Sequence, residues 1–296
     1  MREWQFSALG VTLAGCQWGD ADAPAPRTMV CTHGWQDNAA SFQALGEALE
    51  RSGSAGWQLI AVDLPGHGLS DHLPPSQFYN LWDFVPLLCT WLETLPGPVW
   101  LCGHSMGAMV LTQLAAARPD LARGLVTLDM LGLVREFDAK AQVEGLLRTL
   151  REQTAGLPAS RLSPDFEHAV SRRQRFGSPQ RPEANRALVR RGAEQLAEGW
   201  RFRLDPRVRH GSVMRLTTEQ VIALGHGIDC PWHVILGEQG MFTAERVAEW
   251  QPIWPRMRIH WWPGGHHFHM ESRPEALWRR VQELVEQSES EKERRV

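Results

Sequence analysis

Residues 99–117 read VWLCGHSMGAMVLTQLAAA. The apolar run Val99–Cys102 has the character of a buried strand, and Ala108–Ala117 has the composition of a helix. Between them lies Gly103-His104-Ser105-Met106-Gly107, a Gly-x-Ser-x-Gly sequence. A serine on a strand-to-helix turn is held above the sheet, and the turn is so tight that side chains two residues either side of it would collide. Gly103 and Gly107 supply the room. The helix N-terminus behind Ser105 favours negative charge developing there. The five-residue pattern alone is common by chance, and its place between a strand and a helix is what gives it chemical meaning.

Serine is a weak nucleophile until a base takes its proton. Near the end of the chain, Gly264-Gly265-His266-His267-Phe268-His269-Met270-Glu271 follows the last expected strand. His266 directly follows the glycine pair and leads the loop, so it is the expected base ahead of His267 and His269. A metal site is the rival reading of these histidines, but no matching Asp, Cys or His cluster stands elsewhere, so no metal is expected. A tetrahedral oxyanion needs donors. The N–H of Met106 is one, and the N–H of Trp35, in the turn His33-Gly34-Trp35-Gln36-Asp37, is the expected second. Trp35, Met106, Met130 and Leu131 are the expected apolar wall of an acyl pocket.

Outward from the serine, apolar runs recur at Thr28–Thr32, Gln58–Asp63, Leu125–Asp129, Trp232–Leu236 and Arg258–Trp262. Helical spacing separates most of them, at Ser41–Arg51, Leu81–Thr94, Met106–Ala117 and Ala244–Trp250, with a final helix at Pro274–Glu286. Continuous apolar strands alternating with helices predict an α/β protein whose parallel sheet is covered on both faces. Residues 3–18 read as two short strands around Gly10. The charged end, Ser288–Val296, is expected to fray.

The alternation stops between Leu131 and Ile228. Helix-like segments at Phe137–Gln153, Pro164–Phe176, Glu183–Glu198 and Thr217–Leu224 predict a helical cap over 131–228, inserted into a core of 1–130 and 229–296. The cap holds 17 Lys and Arg against 11 Asp and Glu. That excess would suit an anionic substrate, but a solvated arginine-rich helix surface is the preferred explanation. Asp63 and His67 read as structural residues of a turn, as does Asp205-Pro206-Arg207.

A net charge of -3 argues against a dedicated nucleic-acid binder. Five cysteines, odd in number and without a CxxC pair, fit free thiols in a reducing cytoplasm. Leu13-Ala14-Gly15-Cys16 matches a lipoprotein cleavage site, but no long apolar core precedes it. No run approaches the roughly 20 apolar residues of a membrane span.

Four segments together, HGWQDNAASF (33–42), DLPGHGLSD (63–71), GHSMG (103–107) and GGHHFHME (264–271), resemble the α/β-hydrolase superfamily and, within it, the serine hydrolase-like proteins. The resemblance implies a central, mostly parallel sheet of eight strands with helices on both faces, a helical cap after strand six and a Ser–acid–His triad. It supports His266 through its spacing from Glu271. The acid departs from the common pattern. Where many members carry Gly-Glu-x-Asp after the seventh strand, this chain has Gly237-Glu238-Gln239-Gly240. Asp129, at the end of the sixth strand, is the expected acid, with Glu238 as the alternative.

The resulting expectation is a cofactor-free serine hydrolase that cleaves a carboxylic ester, thioester or lactone in a small acyl-bearing substrate. Two readings compete with it. One is a cofactor-free dioxygenase or C–C bond hydrolase on the same fold, and the other is a non-catalytic ligand binder on a hydrolase scaffold.

Overall fold

The structure, a computed structural model, describes residues 1–20, 27–133, 139–154, 161–174, 181–210, 212, 216–254, 256–271 and 273–294. The chain opens with a hairpin of β1 (Arg2–Ala8) and β2 (Val11–Gly19), turning at Leu9 and Gly10. It continues through β3 (Arg27–Thr32), α1 (Gln43–Ser52), β4 (Trp57–Asp63), α2 (Phe84–Leu92), β5 (Val99–His104), α3 (Met106–Ala117) and β6 (Ala122–Leu128). It then leaves the sheet for α4 (Ala139–Thr154), α5 (Phe166–Gln174), α6 (Pro182–Gly192), the strands β7 (Ala193–Leu196) and β8 (Gly199–Phe202), and α7 (Thr218–Gly227). The sheet resumes with β9 (Trp232–Gln239), α8 (Ala244–Trp250) and β10 (Met257–Gly265), and the chain closes with α9 (Phe268–Glu271) and α10 (Pro274–Glu293).

Eight strands form one sheet in the order β1-β2-β4-β3-β5-β6-β9-β10. β2 is antiparallel to both β1 and β4, and every other pairing is parallel. β4 and β5 are buried at every position, as strands covered on both faces must be. Their side chains divide by alternation. Val30, Ile60, Val62 and Leu101 join a core with α2, α3, α7 and α8, whereas Cys31, Leu59, Ala61 and Cys102 join one with α1, α9 and α10. The mostly parallel, helix-covered sheet expected from the sequence is therefore present.

Two expectations need correction. The helix anticipated over Glu183–Glu198 stops at Gly192, and the next residues pair as the antiparallel ribbon β7–β8, which Ser163 extends by bridging to Trp200. Ala193-Glu-Gln-Leu196 has good helix formers, but pairing with the aromatic-rich Gly199–Phe202 overrides that weak preference. The tail expected to fray instead continues α10 to Glu293. Ser288 is buried with its hydroxyl 2.8 Å from His233 Nε2, while Glu289 and Glu291 pair with Arg123 and Arg258. The expected helix ends at 137–138 and 175–176 and the terminal residues 295–296 lie outside the described residues.

Candidate active site

Ser105 stands between β5 and α3 with φ 50° and ψ -116°, a left-handed conformation that a non-glycine residue adopts only when its surroundings enforce it. The neighbours do so. A Cβ on Gly103 would lie 2.4 Å from Ala108 Cα, and one on Gly107 would lie 2.3 Å from the Thr32 carbonyl oxygen. The Ser105 N–H donates to the Leu128 carbonyl at 3.2 Å, tying the turn to β6.

His266 follows β10, and its Nε2 is 3.1 Å from Ser105 Oγ. Its Nδ1 is 2.6 Å from Asp129 Oδ2. Asp129 follows β6, has a φ of 47° and is wholly buried. The N–H groups of Gly237 and Met241 donate to its two carboxylate oxygens at 3.0 and 2.9 Å, and its own N–H donates to the Ile235 carbonyl. Since the carboxylate accepts, Nδ1 carries the proton and Nε2 presents its lone pair to the serine hydroxyl.

Glu238, the alternative acid, lies exposed on β9. The glycine two residues further on explains the departure from the common acid pattern. A Cβ on Gly240 would fall 2.1 Å from Asp129 Oδ1. The space that an aspartate side chain would need at position 240 is occupied by the carboxylate reaching over from the neighbouring strand.

Met106 opens α3, so its N–H has no acceptor within the helix. Trp35 sits in the turn after β3, half exposed, and its indole N–H donates to the Val208 carbonyl at 2.8 Å. Leu131 is wholly buried, and Met106 and Met130 nearly so. The wall residues expected from sequence therefore divide into one exposed ring and three core side chains.

Behind the serine lies a histidine cluster whose arrangement the sequence did not reveal. His104 Nε2 donates to the His266 carbonyl at 2.9 Å, and its ring centre is 4.6 Å from that of His266 and 4.2 Å from that of His269. Burial, reinforced by its histidine neighbours, lowers the His104 pKa well below its usual value. Burial also lowers that of His267 to about 4, so these rings are neutral supports. His104, His266 and His267 bring ligand atoms within 4.8 Å of one another, the one such set among the described residues. Both ring nitrogens of His266 are already engaged by Ser105 and Asp129, so a metal would compete with those contacts. Asp37, read above only as part of a turn, is buried and ion-paired with Arg173 of α5. Its burial could not be read from its neighbours in the chain, because Arg173 is supplied by a distant element. No helix among the described residues is long and apolar enough to cross a membrane.

The chain is similar to a serine hydrolase-like protein of Dictyostelium discoideum, with 27% identity over 89% of this chain and 76% of the relative. It is 27% identical to a pimeloyl-[acyl-carrier protein] methyl ester esterase of Yersinia enterocolitica, over 92% of this chain and 96% of the relative. The crystal structure of a hypothetical protein from Pseudomonas aeruginosa PAO1 superposes with a TM-score of 0.84 at 32% identity, covering 95% of this chain and 98% of that one. A family model described as "Alpha/beta hydrolase family" matches residues 29–280. With the sheet order and the serine turn already described, that match over most of the length places the chain in the alpha/beta hydrolase family.

Proposed function

We propose that the protein is a serine hydrolase that cleaves a carboxylic ester, or the related thioester or lactone, through an acyl-enzyme on Ser105. The observation that carries this reading is the single imidazole of His266 bridging Ser105 Oγ at 3.1 Å and Asp129 Oδ2 at 2.6 Å.

In this mechanism His266 Nε2 takes the hydroxyl proton as Ser105 Oγ attacks the carbonyl carbon. Asp129, held by two backbone N–H groups, keeps the proton on Nδ1 and stabilises the imidazolium. The amides of Met106 and Trp35 receive the oxyanion, which the N-terminus of α3 also favours. Collapse of the intermediate expels the leaving group with the proton from Nε2. Water, activated by the same nitrogen, then releases the acyl group. The stretch 131–228 serves as the cap that selects substrate. Trp35, Met106 and Met130 border the acyl site, and Leu131 backs it from within the core. The chemistry calls for no metal or organic cofactor.

The test is labelling with a fluorophosphonate probe, locating the adduct by mass spectrometry, with p-nitrophenyl ester hydrolysis followed in parallel. Modification at Ser105 that vanishes in Ser105→Ala and His266→Ala supports the reading. Folded protein that neither labels nor turns over any ester refutes it.

A further inference from the structure

Three arginines of the inserted stretch line one opening. A cavity of about 70 Å³ lies between the turn after β3 and the inserted elements. Gln36 and Asp37 line it from the core, and Arg172, Arg173, Phe202 and Arg209 line it from the insertion.

These charges do not cancel. Arg173 pairs with Asp37, which accounts for one cation and the one carboxylate lining the cavity. Arg172 donates to the Arg161 carbonyl and to Ser163 Oγ, at 2.7 and 3.0 Å, and its guanidinium lies 5.6 Å from the Phe202 ring centre. Those contacts orient the group without neutralising it. Neither Arg172 nor Arg209 has a carboxylate partner among the described residues. Burial, followed by repulsion from Arg161 and Arg209, holds the Arg172 pKa below the usual arginine range. Like charges gathered around a cavity are relieved when an anion enters, and guanidinium groups suit a carboxylate or phosphate geometrically.

The cavity lining also approaches residues that flank the proposed reaction centre. Asp37 Oδ2 is 3.9 Å from His104 Nδ1, and His104 precedes Ser105. On the other side, Val208, next to Arg209, accepts the indole N–H of Trp35. Asp37 thus links the cavity lining to the residue before Ser105, and the Trp35 turn is tied to the residue before Arg209.

We infer that this cavity binds an anionic group, a carboxylate or a phosphate, at the end of the substrate remote from the bond that is cut, with Arg172 and Arg209 determining specificity. The inference rests on the reading of Ser105 as acyl acceptor. The anion has two possible sources. It is the free carboxylate of a dicarboxylic half-ester, or a phosphate on the leaving group of a thioester.

The experiment compares kcat/KM within matched pairs: monomethyl adipate against methyl hexanoate, and butyryl-phosphopantetheine against butyryl-pantetheine. The wild type is expected to prefer the charged member of one pair by about tenfold or more, the scale of one charge-assisted hydrogen bond. The responding pair identifies the source of the anion. Arg209→Gln and Arg172→Gln should each erode that preference, Arg172→Lys should retain part of it, and Arg118→Gln, whose side chain pairs with Glu93 and Asp120 outside the cavity, should leave it intact. Arg209 has no side-chain partner among the described residues, so its variant remains informative if Arg172→Gln misfolds. Equal treatment of charged and neutral substrates, or an equal loss on both in the variants, overturns the inference. Calorimetric titration of the wild type with glutarate and with inorganic phosphate separates this failure from that of the Ser105 reading. Binding that the Arg172→Gln/Arg209→Gln protein loses sustains the anion subsite even if fluorophosphonate labelling fails, and absence of binding overturns it even if labelling succeeds.

Discussion

Arg191 of α6 reaches out of the inserted stretch and grips Asp63 at the end of β4, its Nε lying 3.0 and 2.8 Å from the two carboxylate oxygens. Asp63 is wholly buried and also accepts the N–H groups of Ala39 and Leu69. The turn wraps tightly around it. Gly68 has a φ of 54°, and a Cβ there would fall 2.2 Å from the carboxylate carbon. The outer nitrogen of Arg191 donates to both oxygens of Glu3 on β1, at 2.7 and 2.8 Å. One guanidinium therefore joins the insertion, the first strand and the end of β4.

Arg191→Met leaves the Asp63 charge buried without its partner, a change that costs about 3–5 kcal/mol. Urea unfolding should show that loss, and Asp63→Asn/Arg191→Met should recover much of it because no buried unpaired charge remains, Glu3 being exposed. A single variant within about 0.5 kcal/mol of wild type would show that the pair contributes nothing net.

On the proposed mechanism, Asp129→Asn removes the acceptor that holds the His266 tautomer. Ester turnover should fall by about 10⁴-fold while fluorophosphonate reacts slowly and the fold persists. Glu238→Gln, at an exposed site away from His266, should stay within about twofold of wild type. The opposite ranking in kcat would transfer the role to Glu238.

Gly240→Ala places a methyl carbon 2.1 Å from Asp129 Oδ1. The carboxylate must move, so turnover should drop by about 10²-fold or more, as expected when a catalytic group shifts by about 1 Å. Unaltered kcat with unaltered stability would mean that the carboxylate position is not critical.

Acid should weaken the fold through its buried histidines. The Leu64 N–H donates to His33 Nε2 at 3.0 Å, so that nitrogen must be unprotonated. Burial is the main cause that lowers His33 to about 4 and His67 to about 3. In the unfolded chain both take up protons near about pH 6.5. As pH falls below that value the unfolded state binds protons first, so the stabilisation present at neutral pH is lost down through the folded-state values. Each histidine contributes a slope approaching about 1.4 kcal/mol per pH unit in that window. Urea midpoints measured from about pH 7 to about pH 4.5 should decline, and less steeply in His67→Gln. A flat profile would contradict neutral burial of these rings.

Much of the fold is legible because it is written locally. The largely apolar β4 and β5 need cover on both faces, and the β1–β2 hairpin turns where Gly10 marks it. The start of the last helix at Pro274 is legible locally, whereas its continuation to Glu293 depends on tertiary contacts. The charges of Glu289 and Glu291 look solvated in sequence and find Arg123 and Arg258 only in three dimensions. The β7–β8 ribbon is not legible locally for a similar reason, since four residues of weak helical preference are redirected by a partner strand.

The sequence by itself determined the serine turn, because steric exclusion around Ser105 acts within five residues, and it narrowed the bases to one loop of histidines. Three matters waited for tertiary structure. These were the contact of Asp129 rather than Glu238 with His266, the pairing of Asp63 with Arg191, and the convergence of Arg172 and Arg209 on one cavity. Each depends on side chains brought together from strands, turns or helices far apart in the chain. Electrostatic and hydrogen-bonding choices of that kind are made by distance and burial in space, which local pattern does not encode.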